Sequence, residues 1–319
     1  MSHPLSPLIL LAGPTASGKS ALALALAEAF DGTVINADSL QVYRDLRILS
    51  ARPTPDDEAR VPHRLYGGLD GAEVCSAACW AEMAAEAVRE TWAAGRVPVL
   101  VGGTGLYMAA LTEGLAPVPD IPPEIRAAAR ARLAAEGNAA VHAALAARDP
   151  VMAARLDPGN TQRLARAWEV LEATGRSLAW WQAQPRRAPP LAARTLTLVL
   201  DPDREALRAA IDARVHAMIA AGALDEVRAL LARGLPPDRP VMKAVGGPDL
   251  AAHLRGEIDL DTAVARMQAA SRQYAKRQRT WLRGQTTADA VLSSPDGVKF
   301  SERLTAQTFA IVRRFLLTG

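Results

Sequence analysis

Eight consecutive residues near the start of the sequence, Gly13, Pro14, Thr15, Ala16, Ser17, Gly18, Lys19 and Ser20, satisfy the spacing G-x-x-x-x-G-K-[ST]. Such a loop turns successive backbone N–H groups toward one point at the start of a helix, where they and the helix dipole hold a cluster of anionic oxygens. Lys19 then neutralises a terminal phosphate, and the Ser20 hydroxyl is placed to ligate magnesium. That chemistry belongs to a di- or triphosphate, with no reaction yet specified. Lysine occurs only four times in this arginine-rich chain, at Lys19, Lys243, Lys276 and Lys299. A compact ammonium on a flexible stem fits a phosphate loop where a planar guanidinium does not.

A second group of residues follows shortly: Asp38-Ser39-Leu40-Gln41-Val42-Tyr43 stands just after a strand candidate, Thr33 to Ala37. If that segment is a parallel strand, Asp38 sits at its carboxyl end, where open α/β sheets bind ligands, and is aimed at the phosphate loop. An aspartate there also serves to cap a turn. Further on, SRQYAKRQRTWLR (Ser271 to Arg283) carries five cations and no acid, with Tyr274 and Trp281 interleaved. That pattern suits an RNA backbone and splayed bases, and equally a solvated amphipathic face.

The elements that must position these residues are legible in outline. Leu8 to Ala12 reads as a strand before the loop, and Ala21 to Phe30 as a helix after it. Ser76 to Ala94 reads as a helix, and the unbroken apolar segment Val97 to Gly103 as a strand buried on both faces. Alternation of this kind predicts a P-loop NTPase-like α/β fold: a parallel sheet flanked by helices. From Pro117 the texture changes. Glu124 to Ala183 is almost wholly Ala, Arg, Leu and Glu at helical spacing, closed off by the proline-rich QPRRAPP. RTLTLVLD then resembles one more sheet strand, followed by helices over Arg204 to Gly222, Leu224 to Gly234 and Thr262 to Arg283. The predicted organisation is a discontinuous core, 1–116 and 191–319, with a helical insertion domain over 117–190.

Composition narrows the classes further. With 319 residues, half of them hydrophobic, the chain is long and apolar enough for a substantial core and is not disordered. The amino-terminal apolar run leads into the glycine-containing loop, not a cleavage site, and no stretch has the length and apolarity of a membrane span. A cytoplasmic protein is the expectation, and a monomer, since no coiled-coil pattern or large apolar surface signals assembly. Cys75 and Cys79 lack the further ligands a zinc site needs and are expected as small core residues. His63 and Trp80 are also expected to be structural.

Taken in order, GPTASGKS, DSLQVY, VGGTGLY (Val101 to Tyr107), QRLARAWEV (Gln162 to Val170) and SRQYAKRQRTWLR resemble the tRNA dimethylallyltransferase (IPP transferase) family block for block. The resemblance covers Gly13 to Arg283. It implies a dimethylallyl diphosphate donor with its diphosphate on Thr15 to Ser20, and an anticodon-loop adenine of tRNA flipped into a channel from the other side. It implies that Asp38 is the general base at the acceptor amino group and that Arg214 contacts the diphosphate. It further implies tRNA contacts from Asp38, Ser39, Leu40, Gln41, Thr104, Arg126, Gln162, Arg163, Leu164, Ala165 and Arg166, with Lys276, Arg277 and Arg279 on the basic helix. The sequence departs from the family at two places: Gly247 and Pro248 follow Gly246 where a tyrosine and a basic residue are usual, and LSARPT carries Arg52 in place of a lysine. It also has no Cys/His finger of the kind found in eukaryotic members. Two other readings compete. A P-loop small-molecule kinase shares the loop, but VPVLVGG lacks a terminal aspartate for a second magnesium ligand. An isopentenyltransferase acting on free adenine nucleotide would have no use for QRLAR or the basic helix.

Overall fold

The computed structural model describes residues 5–293 and 302–318, so Lys299 lies outside the described residues. The chain begins β1 (Pro7–Ala12), α1 (Lys19–Ala29), β2 (Gly32–Asn36), α2 (Pro55–Arg60), β3 (His63–Arg64), α3 (Ala77–Ala93), β4 (Val97–Gly102) and α4 (Gly105–Thr112). Four helices follow: α5 (Pro123–Arg148), α6 (Pro150–Ala153), α7 (Thr161–Thr174) and α8 (Leu178–Gln182). Then come β5 (Arg194–Leu200), α9 (Arg204–Ala220), α10 (Ala223–Ala232), α11 (Gly247–Leu254), α12 (Leu260–Gln285), β6 (Ala290–Leu292) and α13 (Glu302–Leu317).

The strands form one six-stranded sheet in the order β3-β2-β4-β1-β5-β6, and every pairing is parallel. The predicted fold class is the one observed. β1 lies between β4 and β5, with Ile9 opposite Val99 on one side and Leu196 on the other. Its residues Leu8 to Ala12 are all buried, which is why the strand reads as an unbroken apolar run and not as an alternation. Helices cover the faces: Leu22, Ala23, Leu26 and Ala27 of α1 join Ile9, Leu11, Val99 and Leu198 in one core. Because all strands run the same way, the residues after β1, β2, β4 and β5 emerge along a single edge of the sheet.

The chain divides into two compact units, one running up to Thr112 and resuming at Pro190, the other Glu113–Pro189. The second has its own core, built from Leu133, Val141 and Leu145 of α5, Leu164, Ala167, Trp168 and Leu171 of α7, and Leu178 of α8. The segment expected as a helical insertion is helical, with breaks at Gly137, whose φ of 78° no helix tolerates, and after Arg148 and Thr174. On α7 the buried residues recur at helical spacing, so neighbouring arginines turn outward.

Two expectations are corrected. Cys79 is exposed and Cys75 only half-buried, so they are not core residues. Cys75 precedes Ser76, the N-cap of α3, and Cys79 lies in the first turn, off the buried face formed by Trp80, Ala81, Ala84 and Ala85. Leu164 is wholly buried and cannot present its side chain to RNA. His63 borders the cavity described below, its Nδ1 2.9 Å from the Val61 carbonyl. Trp80 is structural as expected: it is fully buried, stacks on Tyr107 at 4.6 Å and donates from Nε1 to the Asn36 carbonyl at 3.1 Å. The family departure at Gly247 and Pro248 is accommodated locally: Pro248 falls in the first turn of α11, where its missing N–H costs nothing.

Candidate active site

The phosphate loop joins β1 to α1. Gly13 and Pro14 lie buried behind it, where the Gly13 N–H donates to the Gly102 carbonyl at 3.3 Å. Gly18 adopts φ of 83°, the left-handed turn that only glycine takes cheaply, and so sets Lys19 and Ser20 at the head of α1. Thr15 to Ser20 all border a cavity of about 640 Å³. Ser17 Oγ is buried, has no hydrogen-bond partner among the described residues and packs against Gly13, where an added Cβ would come within 2.8 Å of it. Lys19 Nζ donates to the Pro14 carbonyl at 3.1 Å. Burial pulls the ammonium down to about 8, against the opposing pull of Asp38, and Arg214 pushes the same way as burial.

Asp38 reaches the same cavity from the end of β2. Its position is over-determined by Asn36, which is wholly buried. Asn36 Oδ1 accepts the Asp38 N–H at 2.8 Å, and Asn36 Nδ2 donates to the Asp38 and Leu65 carbonyls at 3.0 and 3.1 Å. One carboxylate oxygen, Oδ1, accepts the Leu40 N–H at 2.9 Å. The turn-capping role is therefore real, and it fixes the carboxylate instead of excluding another use for it. Beyond it, the Ser39 N–H donates to Thr104 Oγ1 at 3.2 Å, and Gln41 Nε2 donates to the Ser50 and Ala51 carbonyls at 2.9 and 3.0 Å.

Arg214 arrives from α9. Leu207, Ile211, Val215 and Met218 form that helix's buried stripe, and position 214 lies on the same face. Its Nη1 donates to Thr15 Oγ1 at 3.2 Å, which brings the guanidinium onto the phosphate loop. Burial lowers its affinity for the proton and Asp38 opposes that shift, yet a guanidinium stays charged. A smaller apolar recess of about 60 Å³ adjoins the site, lined by Leu40, Leu49, Ile211, Val215, Met218 and Met267 among others. Thr15, Ala16, Asp38, Ser50 and Arg214 border both spaces. A cationic phosphate cradle and an apolar recess therefore meet at one carboxylate.

The larger cavity is also lined by Tyr66, which the sequence did not single out, and by Arg52, noted there only as a departure from the family. The Tyr66 hydroxyl is pushed upward by burial and by Asp38. Arg52 donates to the Tyr43 carbonyl at 3.4 Å, and burial lowers its proton affinity. The loop before Arg52 is held from α10: Glu226 accepts the N–H groups of Arg47, Ile48 and Leu49 at 2.6, 2.8 and 2.8 Å. Nothing local in the sequence marks Glu226, because its partners are backbone groups some 180 residues away.

The basic helix α12 is less uniform than its sequence. Arg279 and Arg283 both pair with Asp201 at 2.7 Å, and Arg272 pairs with Asp212. Lys276 and Arg277 are exposed and, among the described residues, pair with no carboxylate. In the helical unit Arg126, Gln162 and Arg163 are exposed, Ala165 is half-buried, and Arg166 lies 3.6 Å from Glu169.

A parallel sheet whose first strand runs into a glycine-rich phosphate loop, with a fixed carboxylate and buried cations across the cavity, defines a P-loop enzyme acting on a phosphorylated substrate. The sequence model of IPP transferase matches residues 41–285. The tRNA dimethylallyltransferase of Rhodospirillum rubrum is 59% identical over 314 residues, spanning 98% of this chain and 96% of that protein. That of Paramagnetospirillum magneticum is 55% identical over the full length of both. The crystal structure of the full-length tRNA isopentenylpyrophosphate transferase of Bacillus halodurans is similar with a TM-score of 0.71, at 30% identity over 98% of this chain and 97% of the other. The chain belongs to the IPP transferase family.

Proposed function

We propose that the chain transfers a dimethylallyl group from dimethylallyl diphosphate to N6 of the adenosine 3′-adjacent to the anticodon in tRNA, with release of diphosphate. The relatives named above are tRNA dimethylallyl- and isopentenylpyrophosphate transferases. The observation that carries the reading is that Asp38, Thr15 and Arg214 border both the phosphate cradle and the apolar recess. A prenyl diphosphate has an anionic and an apolar part, joined at the carbon that reacts.

The diphosphate is held by the loop N–H groups, Lys19 and Arg214. As the allylic C–O bond lengthens, negative charge grows on the leaving diphosphate, and these preorganised groups stabilise it more than the ground state. The acceptor is an exocyclic amine conjugated to a purine and is a weak nucleophile. Asp38, held by Asn36 and the Leu40 N–H, accepts its proton as the C–N bond forms. An adenine stacked in a loop is out of reach, so the nucleotide leaves the stack, at a cost of roughly a few kcal/mol offset by new contacts. Lys276, Arg277, Arg126, Gln162 and Arg163 are the exposed groups of the predicted tRNA set, suited to phosphate contacts.

Among the described residues no three His, Cys, Asp or Glu side chains gather to hold a metal. A magnesium ion would be held on the protein side by the Ser20 hydroxyl at the cavity wall. Magnesium favours a partly hydrated shell, so the residues fit. When bound, it neutralises leaving-group charge.

The test is incubation with labelled dimethylallyl diphosphate and unmodified tRNA, followed by nucleoside analysis. Label in N6-alkylated adenosine, with no requirement for ATP, is the expected outcome. Transfer to free adenine nucleotide in preference to tRNA, or a requirement for ATP hydrolysis, would overturn it.

A further inference from the structure

On α12 the buried stripe runs through Ala263, Met267, Ala275, Gln278 and Leu282, and one of these residues is polar. Gln278 is 5% exposed and uses both ends of its amide. Its Oε1 accepts the Thr15 N–H at 2.8 Å, and its Nε2 donates to the Gly103 carbonyl at 3.1 Å. The partners fix the orientation, since the N–H of Thr15 requires an oxygen and the carbonyl of Gly103 requires an N–H.

The two partners belong to different strand ends: Thr15 follows β1 and Gly103 follows β4. The fit is close on the second. A Cβ on Gly103 would lie 2.0 Å from Gln278 Nε2, and a Cβ on Gly105 would lie 2.0 Å from Trp281 Nε1. Gly103 and Gly105 therefore admit α12 against the sheet edge.

On the phosphate loop the bond falls beside a strained residue. Ala16 has φ of 60°, a left-handed conformation unfavourable for a residue with a Cβ, and persists only where its surroundings enforce it. Thr15, just before it, is held twice: its N–H by Gln278 and its hydroxyl by Arg214. Arg214 is occupied with the anion in the reading above, which leaves Gln278 as the fixed tie.

We propose that Gln278 is a positioning residue for diphosphate: it holds Thr15 and Ala16 in the shape that directs the loop N–H groups at the anion, without touching the anion itself. The proposal rests on the phosphate loop being the donor site. It accounts for a buried amide on a helix whose exposed neighbours, Lys276 and Arg277, face the other way.

Two variants separate positioning from plain packing. Gln278→Met keeps the length and removes both hydrogen bonds. Gln278→Glu keeps the acceptor at neutral pH and loses the donor, whereas its protonated form regains both. Lys19, Asp38 and Arg214, the charged groups around the loop, and Tyr274 on α12 are the same in every protein, so each affinity is taken as a ratio to wild type at the same pH. Binding of inorganic diphosphate and of tRNA is measured between pH 5.5 and 8, with thermal melting alongside. Gln278→Met should weaken diphosphate binding about tenfold at every pH, a loss matching one typical hydrogen bond of about 1.4 kcal/mol. Gln278→Glu should show at least that loss at pH 8 and recover most of it at pH 5.5, while tRNA affinity stays within about twofold of wild type. Wild-type diphosphate affinity in both variants, with only a lowered melting temperature, would show that the amide merely packs. Should Gln278→Met fail to fold, a diphosphate ratio for Gln278→Glu that does not change with pH overturns the proposal alone. Wild-type protein that binds no diphosphate at all would overturn the donor-site reading first, and this one with it.

Discussion

The phosphate loop and the helix α7 each carry a short contiguous motif, and they treat contiguity in opposite ways. The loop curls locally, so Thr15 to Ser20 all border one cavity. On α7, successive residues turn by about 100°, so QRLAR is split: Gln162 and Arg163 face outward and Leu164 enters the core of the helical unit. The basic helix α12 behaves like α7, with Lys276 and Arg277 outside, Gln278 inside and Arg279 tied to Asp201. A motif on a loop can be read residue by residue; one on a helix can be read only by face.

The largest effect expected lies on the loop side. Asp38→Asn should lower single-turnover transfer at saturating donor by about 10² to 10⁴, the range for losing a positioned general base. Asparagine keeps an oxygen for the Leu40 N–H, so folding should be nearly unaffected. A wild-type single-turnover rate would leave Asp38 as a turn cap only.

The helical side predicts a division within one motif. Leu164→Ala should destabilise the helical unit by about 2 to 5 kcal/mol, as for a leucine removed from a packed core. Arg163→Ala should change stability by less than about 0.5 kcal/mol and act on tRNA affinity instead. Denaturant unfolding alongside tRNA binding checks both, and equal stability losses would break the distinction between faces.

A smaller contrast is expected on α12. Replacing Lys276 and Arg277 together with alanine should reduce the slope of log affinity for tRNA against log salt by up to about 2, roughly one unit or less per lost phosphate contact. Arg279→Ala should leave that slope unchanged and lower stability slightly, since it removes one of the two arginines paired with Asp201. Equal slopes for the two variants would mean that exposure does not distinguish these cations.

The smallest effect concerns protons. With Lys19 at about 8 in the free protein, a rising fraction is neutral above that pH, and diphosphate binding must restore its charge. Affinity should fall by up to tenfold per pH unit above 8, with uptake of up to one proton, measurable by calorimetry in buffers of different ionisation enthalpy. The sign for folding is opposite. Below pH 8 the buried ammonium opposes the folded state in full, and that cost is relieved as pH rises toward the unfolded value of 10.5.

Much of the core was legible because its signals are local: an apolar run for β1, a glycine spacing for the loop, an aspartate after β2. The pieces that escaped are short or are defined by distant partners. β3 and β6 have two and three residues, too few for periodicity to register. Glu226 is one acid among many on amphipathic helices until its three backbone partners are known. Gln278 did leave a trace, as a polar residue on an otherwise apolar stripe, but it was overshadowed by the cations beside it. Arg279 illustrates the converse: its charge was visible, and Asp201, which absorbs it, lies far away in sequence.

The interruption of the first unit also bears on how the protein is made. β1 needs β4 on one side and β5 on the other, yet about ninety residues separate the end of β4 from the start of β5. At a synthesis rate of roughly 5–20 residues per second, one flank of the strand leading into the phosphate loop waits unpaired for about 5 to 20 seconds after the other is available. In that interval the nascent chain exposes an apolar strand edge while it builds a helical unit with a separate core. Chaperone dependence should therefore track the length of the insertion, a property invisible in the finished enzyme.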